Sequence, residues 1–352
     1  MKKLLTLFTV FALSFVLVGC TGKANKDSNK EGATTTPTES PTGTDTSNDA
    51  SQTTPTKEAV KDFTVDNIAV TYVKAPLNVP SIVENNKGFL GKGYAEYNLP
   101  IVYSDLTTGP EQTQALASGD IQFLNAVGAT SVILSASNGA DIKIISMYSR
   151  SPKAFVMFSK DDSIDSPEKL KGLTVAGPKG TILHELLISY LNTAGLSEKD
   201  INFVSMDIPS SQAALAGGSV DIALAAGPVA YNMKKDGFHV VTDGTGLVDA
   251  TIVVATSNDF YKKNPELVKK FLDVQKETLQ YIEDNYEEII EITAAETELP
   301  ADAVKEMYDM YDFNMEIKDS DIESMRKTTQ FMLDNGMIEN NVDIESLILD
   351  VK

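Results

Sequence analysis

Ala115-Leu-Ala-Ser-Gly-Asp-Ile-Gln-Phe-Leu-Asn-Ala-Val-Gly128 returns 99 residues later as Ala214-Leu-Ala-Gly-Gly-Ser-Val-Asp-Ile-Ala-Leu-Ala-Ala-Gly227, with six of fourteen positions identical. Each copy reads as a helix end, a tight Gly turn, a buried strand and a Gly that opens a new helix. Chance similarity between Ala- and Gly-rich strings is the competing reading, and the same order of elements around both copies counts against it. The repeat therefore predicts two lobes of similar build.

Outward from the repeat, short β-branched runs alternate with longer helical ones. Strands are expected at Ile68–Val73, Pro100–Ser104, Ile121–Asn125, Ile142–Tyr148, Ala154–Ser159, Leu173–Ala176, Ile201–Met206, Val220–Ala225, His239–Thr242 and Ala250–Ala255. Helices are expected between them at Val79–Asn86, Glu111–Ser118, Ala129–Ser137, Thr181–Ala194, Ser210–Ala216 and Val229–Lys235. Such alternation implies an α/β fold of βαβ units around mostly parallel sheets. After Ala255 the period becomes helical. Asn264-Pro265 is a helix start, and Val268, Phe271, Leu272, Leu279 and Ile282 recur at helical spacing. This tail holds no strand candidate and is expected to cover the first lobe.

The chain carries 50 acidic against 30 basic residues, a net charge of −20, which repels a phosphate backbone and argues against nucleic acid as a partner. A single cysteine cannot make an internal disulfide or a CxxC metal site, and two histidines leave little for a His-based zinc centre. No metal and no cofactor is expected.

The N-terminus reads as an address. Met1-Lys2-Lys3 is positive, and Leu4–Val18 is apolar apart from Thr6, Thr9 and Ser14. That run is shorter than the roughly 20 residues a spanning helix needs, and with its flanks it makes a secretory signal over residues 1–19. Leu17-Val18-Gly19-Cys20 resembles a bacterial lipobox, which implies that Cys20 is lipidated and becomes the mature N-terminus. Residues 20–60 form the expected tether: Thr21–Val60 has no aromatic residue, no Leu and no Ile, so it cannot bury enough apolar surface to offset ordering entropy. As a coil it would span about 35 Å. Location at the extracytoplasmic face of the cell membrane, through a lipid anchor, follows.

Four segments carry a resemblance. They are Lys74-Ala-Pro-Leu-Asn-Val-Pro-Ser-Ile-Val-Glu-Asn-Asn-Lys-Gly-Phe89, Gln114–Asp120, Ser166–His184 with its helix ending at Leu196, and Ala214–Pro228. In order and spacing they resemble the solute-binding proteins of ABC importers for nitrate, sulfonates, taurine and thiamine-pyrimidine precursors. The resemblance implies the type II periplasmic-binding-protein fold: two α/β lobes joined by two crossing segments, a cleft between them and a C-terminal helical cover. Lobe I would be residues 61–149 plus 246–352, and lobe II residues 150–245. It also implies partners: a small-molecule solute, the ABC permease and ATPase subunits, and the membrane through the anchor, the chain itself being a monomer. Sulfonate and taurine binders of the family often carry a tryptophan in the "VDAxxxW" region; this chain has none, which leaves the solute open.

The candidate ligand residues lie on loops after strands. Lys74, Pro76 and Asn78 follow the first strand, with Asn78 equally able to cap the next helix. Gly128, Ala129 and Thr130 open the helix after the first repeat strand. Lys179, Gly180 and Thr181 form the matching turn in the second lobe, with His184 one turn on. Gly227 and Pro228 mirror Gly128. Arg150, at the first crossing, could clamp an oxyanion with its fork-shaped guanidinium, or be an exposed hinge charge. Free N–H groups at helix starts suit an oxyanion, so an anionic or polar solute is expected despite the net charge.

Enzyme motifs fail. His184-Glu-Leu-Leu-Ile188 lacks the second His of a zincin, Gly172–Lys179 has Pro178 where a phosphate loop needs Lys, and there is no GxSxG elbow. The expected role is solute capture for an import permease rather than catalysis. An enzyme on the same fold, resembling pyrimidine synthases, and a ligand-sensing lipoprotein without a transporter remain the alternatives.

Overall fold

In the computed structural model, which describes residues 63–352, the chain runs β1 (Ile68–Thr71), α1 (Val79–Lys87), α2 (Phe89–Tyr94), β2 (Ile101–Ser104), α3 (Gly109–Ser118), β3 (Leu124–Gly128), α4 (Ala129–Ser137) and β4 (Lys143–Arg150). It continues β5 (Phe155–Ser159), β6 (Thr174–Gly177), α5 (Ile182–Asn192), β7 (Asn202–Ser205), α6 (Ile208–Gly217), β8 (Ile222–Ala226), α7 (Gly227–Lys235) and β9 (His239–Asp243). β10 (Thr251–Thr256) is followed by α8 (Asn258–Lys263), α9 (Pro265–Asp284), α10 (Tyr286–Thr297), α11 (Ala301–Tyr308), α12 (Asp319–Asp334) and α13 (Ile344–Leu347). The expected signal peptide, Cys20 and tether fall outside the described residues.

Both copies of the repeat fold alike. Gly119 and Gly218 take left-handed φ of 84° and 73° as helix C-caps. The next residues close the same bonds, Asp120 N–H to the Ala115 carbonyl and Ser219 N–H to that of Ala214, the paired caps a Gly permits. β3 and β8 follow, each ending where the next helix opens.

The strands form three sheets: β1-β2, β3-β10-β4 and β7-β6-β8-β5-β9. The first two are joined by a single bridge between Val70 and Phe123. This explains why β3 starts three residues later than expected: Gln122 and Phe123 donate their N–H groups to the Ala69 carbonyl, and only then does the chain turn to pair with β10. The expectation of mostly parallel sheets needs correction. β1-β2, β6-β7 and β6-β8 are parallel, but β10 runs antiparallel to β3 and β4, and β5 antiparallel to β8 and β9. β5 and β10 are the strands that follow the two crossings (151–154 and 244–250), so each enters its sheet from the opposite end.

The tail wraps the β3-β10-β4 sheet. α9 and α10 pack on α1 and α2, while α12 packs on α4 and β10 and α11 reaches α7. Phe271 of α9 stacks on Phe123 at 4.1 Å between ring centroids. Asn264 stands at the start of α9 without capping it. Its Nδ2 donates to Thr64 Oγ1 and its Oδ1 accepts from the Thr64 N–H, which ties β1's approach to the tail.

One buried carboxyl sits against this packing. Glu84 of α1 is 5% exposed and accepts from the Leu90 N–H at 2.9 Å and from the Tyr103 hydroxyl at 2.9 Å. Burial raises its pKa to about 7 against these two bonds. A carboxyl harder to ionise folded than unfolded costs stability as pH climbs from its ordinary value to the raised one, by about 1.4 kcal/mol per unit. Glu84→Gln should therefore match the wild type at pH 5 and exceed it by roughly 2–3 kcal/mol at pH 8. Chemical denaturation at the two pH values checks this; a difference independent of pH would contradict it.

Candidate cleft between the two sheet systems

Several helices begin just past strand carboxyl ends, the edge where open α/β sheets bind ligands, and four of them concern one cleft. α3 follows β2, α4 follows β3, α5 follows β6 and α6 follows β7. Their first turns border one cleft of about 570 Å³, counting its open mouth. One wall comes from the first sheet system: Pro76, Thr107–Gly109, Gln112, Ala126, Gly128 and Ser131. The other comes from the five-stranded sheet: Phe155, Pro178, Thr181–Leu183, Ile208 and Ala226. Ile252 of β10 closes the floor.

The four helix starts are not equivalent. Thr108 caps α3 in a reciprocal box with Glu111, and Asp207 caps α6 by accepting from the Ser210 N–H at 2.8 Å. α4 and α5 have no side-chain cap. Thr181 sits at the cap position of α5 but donates its hydroxyl to the Pro178 carbonyl at 2.8 Å. The opening N–H groups of α4 and α5 thus have no intrahelical partner, and the helix dipoles make that spot favourable for negative charge. Ala126, in the cleft lining, sits at a register shift of β3 against β10, with φ at 77°. A left-handed alanine in a strand bulge re-aims the backbone, here at the cleft wall.

The two walls touch at several points. A Cβ on Gly227 would stand 2.7 Å from Pro76 Cα. Ser131 Oγ donates to the Gly180 carbonyl at 2.8 Å. Glu185, buried on α5, accepts from Thr130 Oγ1 at 2.6 Å and from Thr328 Oγ1 at 2.9 Å. Burial pushes the Glu185 carboxyl up, the two hydroxyls oppose it and Asp249 adds to it.

Of the residues expected from the sequence, Pro76, Gly128 and Thr181 line the cleft, and Ala129 opens α4 beside it, buried. The others are placed differently. Lys74 pairs with Glu296 at 2.9 Å. Asn78 is fully buried and donates Nδ2 to the Val73 carbonyl at 2.8 Å, so it neither caps α1 nor reaches the cleft lining. Thr130 is spent on Glu185. Arg150 is held by Asp321 through Nε at 2.6 Å and Nη2 at 2.5 Å, and by the Asn314 and Glu316 carbonyls. It is a structural clamp and not an exposed hinge charge. Lys179, Gly180 and His184 border a separate groove with Glu198 and Asn335. There His184 Nδ1 accepts from the Gly180 N–H and Nε2 meets Glu198 at 2.5 Å, while Lys179 holds the other Glu198 oxygen at 3.1 Å. Burial lowers the His184 pKa, and although burial works the other way on Glu198, His184 and Lys179 keep that carboxyl low. Gly227 packs on Pro76 as described, and Pro228 occupies the first turn of α7.

Sequence reasoning missed the α3 start. Thr107-Thr108-Gly109-Pro110 carries a Thr cap with Pro in the first turn, the cue used at Asn264-Pro265, yet the helix was expected to begin at Glu111. Gln112 inside that helix gave no signal at all. Among the described residues no helix is long and apolar enough to cross a membrane.

Comparison with known proteins follows the same lines. The family described as "NMT1/THI5 like" matches residues 76–289. A protein of Escherichia coli (strain K12) named for binding aliphatic sulfonates is 26% identical over 290 residues, covering 80% of this chain and 88% of its own. A taurine-binding periplasmic protein of the same organism is 30% identical over 171 residues, 47% of this chain and 52% of its own. The alkanesulfonate-binding protein SsuA of Xanthomonas axonopodis pv. citri, solved with MOPS bound, superposes with a TM-score of 0.74 at 19% identity, covering 81% of this chain and 98% of that one.

Proposed function

The chain belongs to the NMT1/THI5-like family, and from that premise we propose that it captures a small organic solute with an oxyanion end outside the cytoplasm and hands it to an ABC-type import permease with its ATPase. One observation carries the reading: the uncapped starts of α4 and α5, one from each sheet system, border a single cleft that no carboxylate lines among the described residues. N–H groups there would hold the anionic end by charge-assisted bonds, which need no lysine or arginine. Phe155, Ile182, Leu183, Ile208 and Ile252 offer an apolar wall for the rest of the solute. Relatives named for aliphatic sulfonates and taurine make organosulfonates the leading class.

In this reading the bodies that close are residues 61–149 plus 246–352 and residues 150–245, hinged at the two crossings, and the carrier is a monomer. Pro76, Gly128, Ala129 and Thr181 would contact the solute. A thermal-shift panel of alkanesulfonates, nitrate, bicarbonate, aromatic carboxylates and pyrimidines tests it. A ligand at about 100-fold over its Kd should add ~2.7 kcal/mol of stability. The oxyanion members should shift the melting point; a panel without any shift would remove the carrier reading.

We propose further that Cys20 is lipidated and that residues 20–60 tether the body to the extracytoplasmic face of the membrane. Multiple acylation would give the two or more anchoring signals stable attachment requires. Cys20→Ser should leave the protein unprocessed or released from membranes; a processed variant that stays membrane-bound would rule the anchor out.

A further inference from the structure

We infer that Gln112 selects for a solute that carries, besides its oxyanion end, a neutral hydrogen-bond donor such as a hydroxyl or an amide N–H. The inference rests on the carrier reading above and adds to it a residue and a chemical group. Gln112 lies in the second turn of α3, lines the cleft and is 3% exposed. Its Nε2 donates to the Leu106 carbonyl at 3.0 Å. That bond fixes the amide orientation, since a flipped amide would set two acceptor oxygens against each other. Oε1 is left as a buried acceptor with no partner among the described residues.

A buried acceptor without a donor is costly, and native structures rarely leave one unmet. Two of the hydroxyls that share the cleft lining with Gln112 already spend their protons elsewhere. Ser131 Oγ donates to Gly180 and Thr181 Oγ1 to Pro178. A solute donor would complete the site, and one lacking it would leave Oε1 stranded, the situation that gives polar pockets their steepest discrimination. The donor is best neutral. Among the described residues no carboxylate lines the cleft, so a desolvated ammonium would meet one amide oxygen and no counter-charge.

The test compares matched probes by calorimetry on the whole chain: unsubstituted ethane-, propane- and butanesulfonate against the same chains bearing a terminal hydroxyl. The hydroxylated member of at least one pair should bind about tenfold or more tightly to the wild type. Gln112→Leu should bind the two members of that pair equally, the hydroxylated member having lost its advantage. Gln112→Met, closer in length, guards against a packing defect of the leucine variant, and thermal melting reports the fold of both. Equal affinities within every pair in the wild type, or a hydroxyl preference that survives both substitutions, would overturn the role of Gln112 while leaving the carrier reading intact. If no sulfonate of either kind binds, organosulfonates fail as the solute class and this inference falls with them, while the other oxyanions of the panel still test the carrier reading.

Discussion

Gly227→Ala should weaken solute binding by roughly 10- to 100-fold and leave the fold intact. The added methyl group would lie 2.7 Å from Pro76 Cα, 2.8 Å from its carbonyl carbon and 3.1 Å from the Leu77 nitrogen. All three are backbone atoms on the opposite wall, which cannot rotate away as a side-chain tip can. Overpacking of this kind costs about 1–3 kcal/mol. In a hinged body the strain is relieved by opening, so the cost falls on the closed, solute-holding state, and about 1.4 kcal/mol is a factor of ten in affinity. Gly227 also has φ at 57°, where an alanine loses about 1 kcal/mol in either state; a small drop in melting temperature should accompany the larger loss of affinity. Gly217→Ala is the control. That residue ends α6 with nothing within 4 Å of where an added Cβ would stand and no left-handed φ. Calorimetry should find its affinity unchanged. Equal behaviour of the two variants would show that the Gly227–Pro76 contact plays no part in closure.

Arg150→Met should destabilise the protein by about 3–5 kcal/mol. The guanidinium ends β4 and clamps the segment before α12. Its partner Asp321 has a side chain only 6% exposed and also accepts from the Lys318 N–H at 2.8 Å at the start of α12. Burial alone would push the Asp321 carboxyl up; Arg150 and the Lys318 N–H hold it below its ordinary value. Without Arg150 a buried carboxylate stays behind uncompensated, which is the costly way to break an ion pair. Arg150→Met with Asp321→Asn should therefore cost clearly less than Arg150→Met alone. Denaturant unfolding of the three proteins checks the order, and solute affinity should hardly change. A stable single variant with lost affinity would instead return Arg150 to the ligand.

The contrast between these residues shows what the sequence discloses. The strands were legible because β-branched runs bounded by Gly and Pro signal them locally, and the repeat disclosed paired helix–turn–strand units whose caps match bond for bond. Strand direction was not legible: β5 and β10 look like any other strand, and only the crossings before them reverse their sense. Half of the cleft could be read from Gly128 and Thr181, because helix starts after strands are local features. The cations could not. Arg150 finds Asp321 and Lys74 finds Glu296 across long stretches of chain, so a residue that looks free in sequence is neutralised in space. Gln112 was invisible for the opposite reason, since nothing in Glu-Gln-Thr-Gln marks which amide is buried and left with an empty acceptor.

The central claim is that the solute sits between the two walls and is held by helix starts from both. Amide hydrogen exchange on the whole chain, with and without the panel member that stabilises it most, tests this directly. The expected result is added protection at Thr107–Gly109, Gly128–Ser131 and Thr181–Leu183 together. Protection confined to the Lys179–His184–Glu198 groove, to one wall alone or to no segment would contradict it.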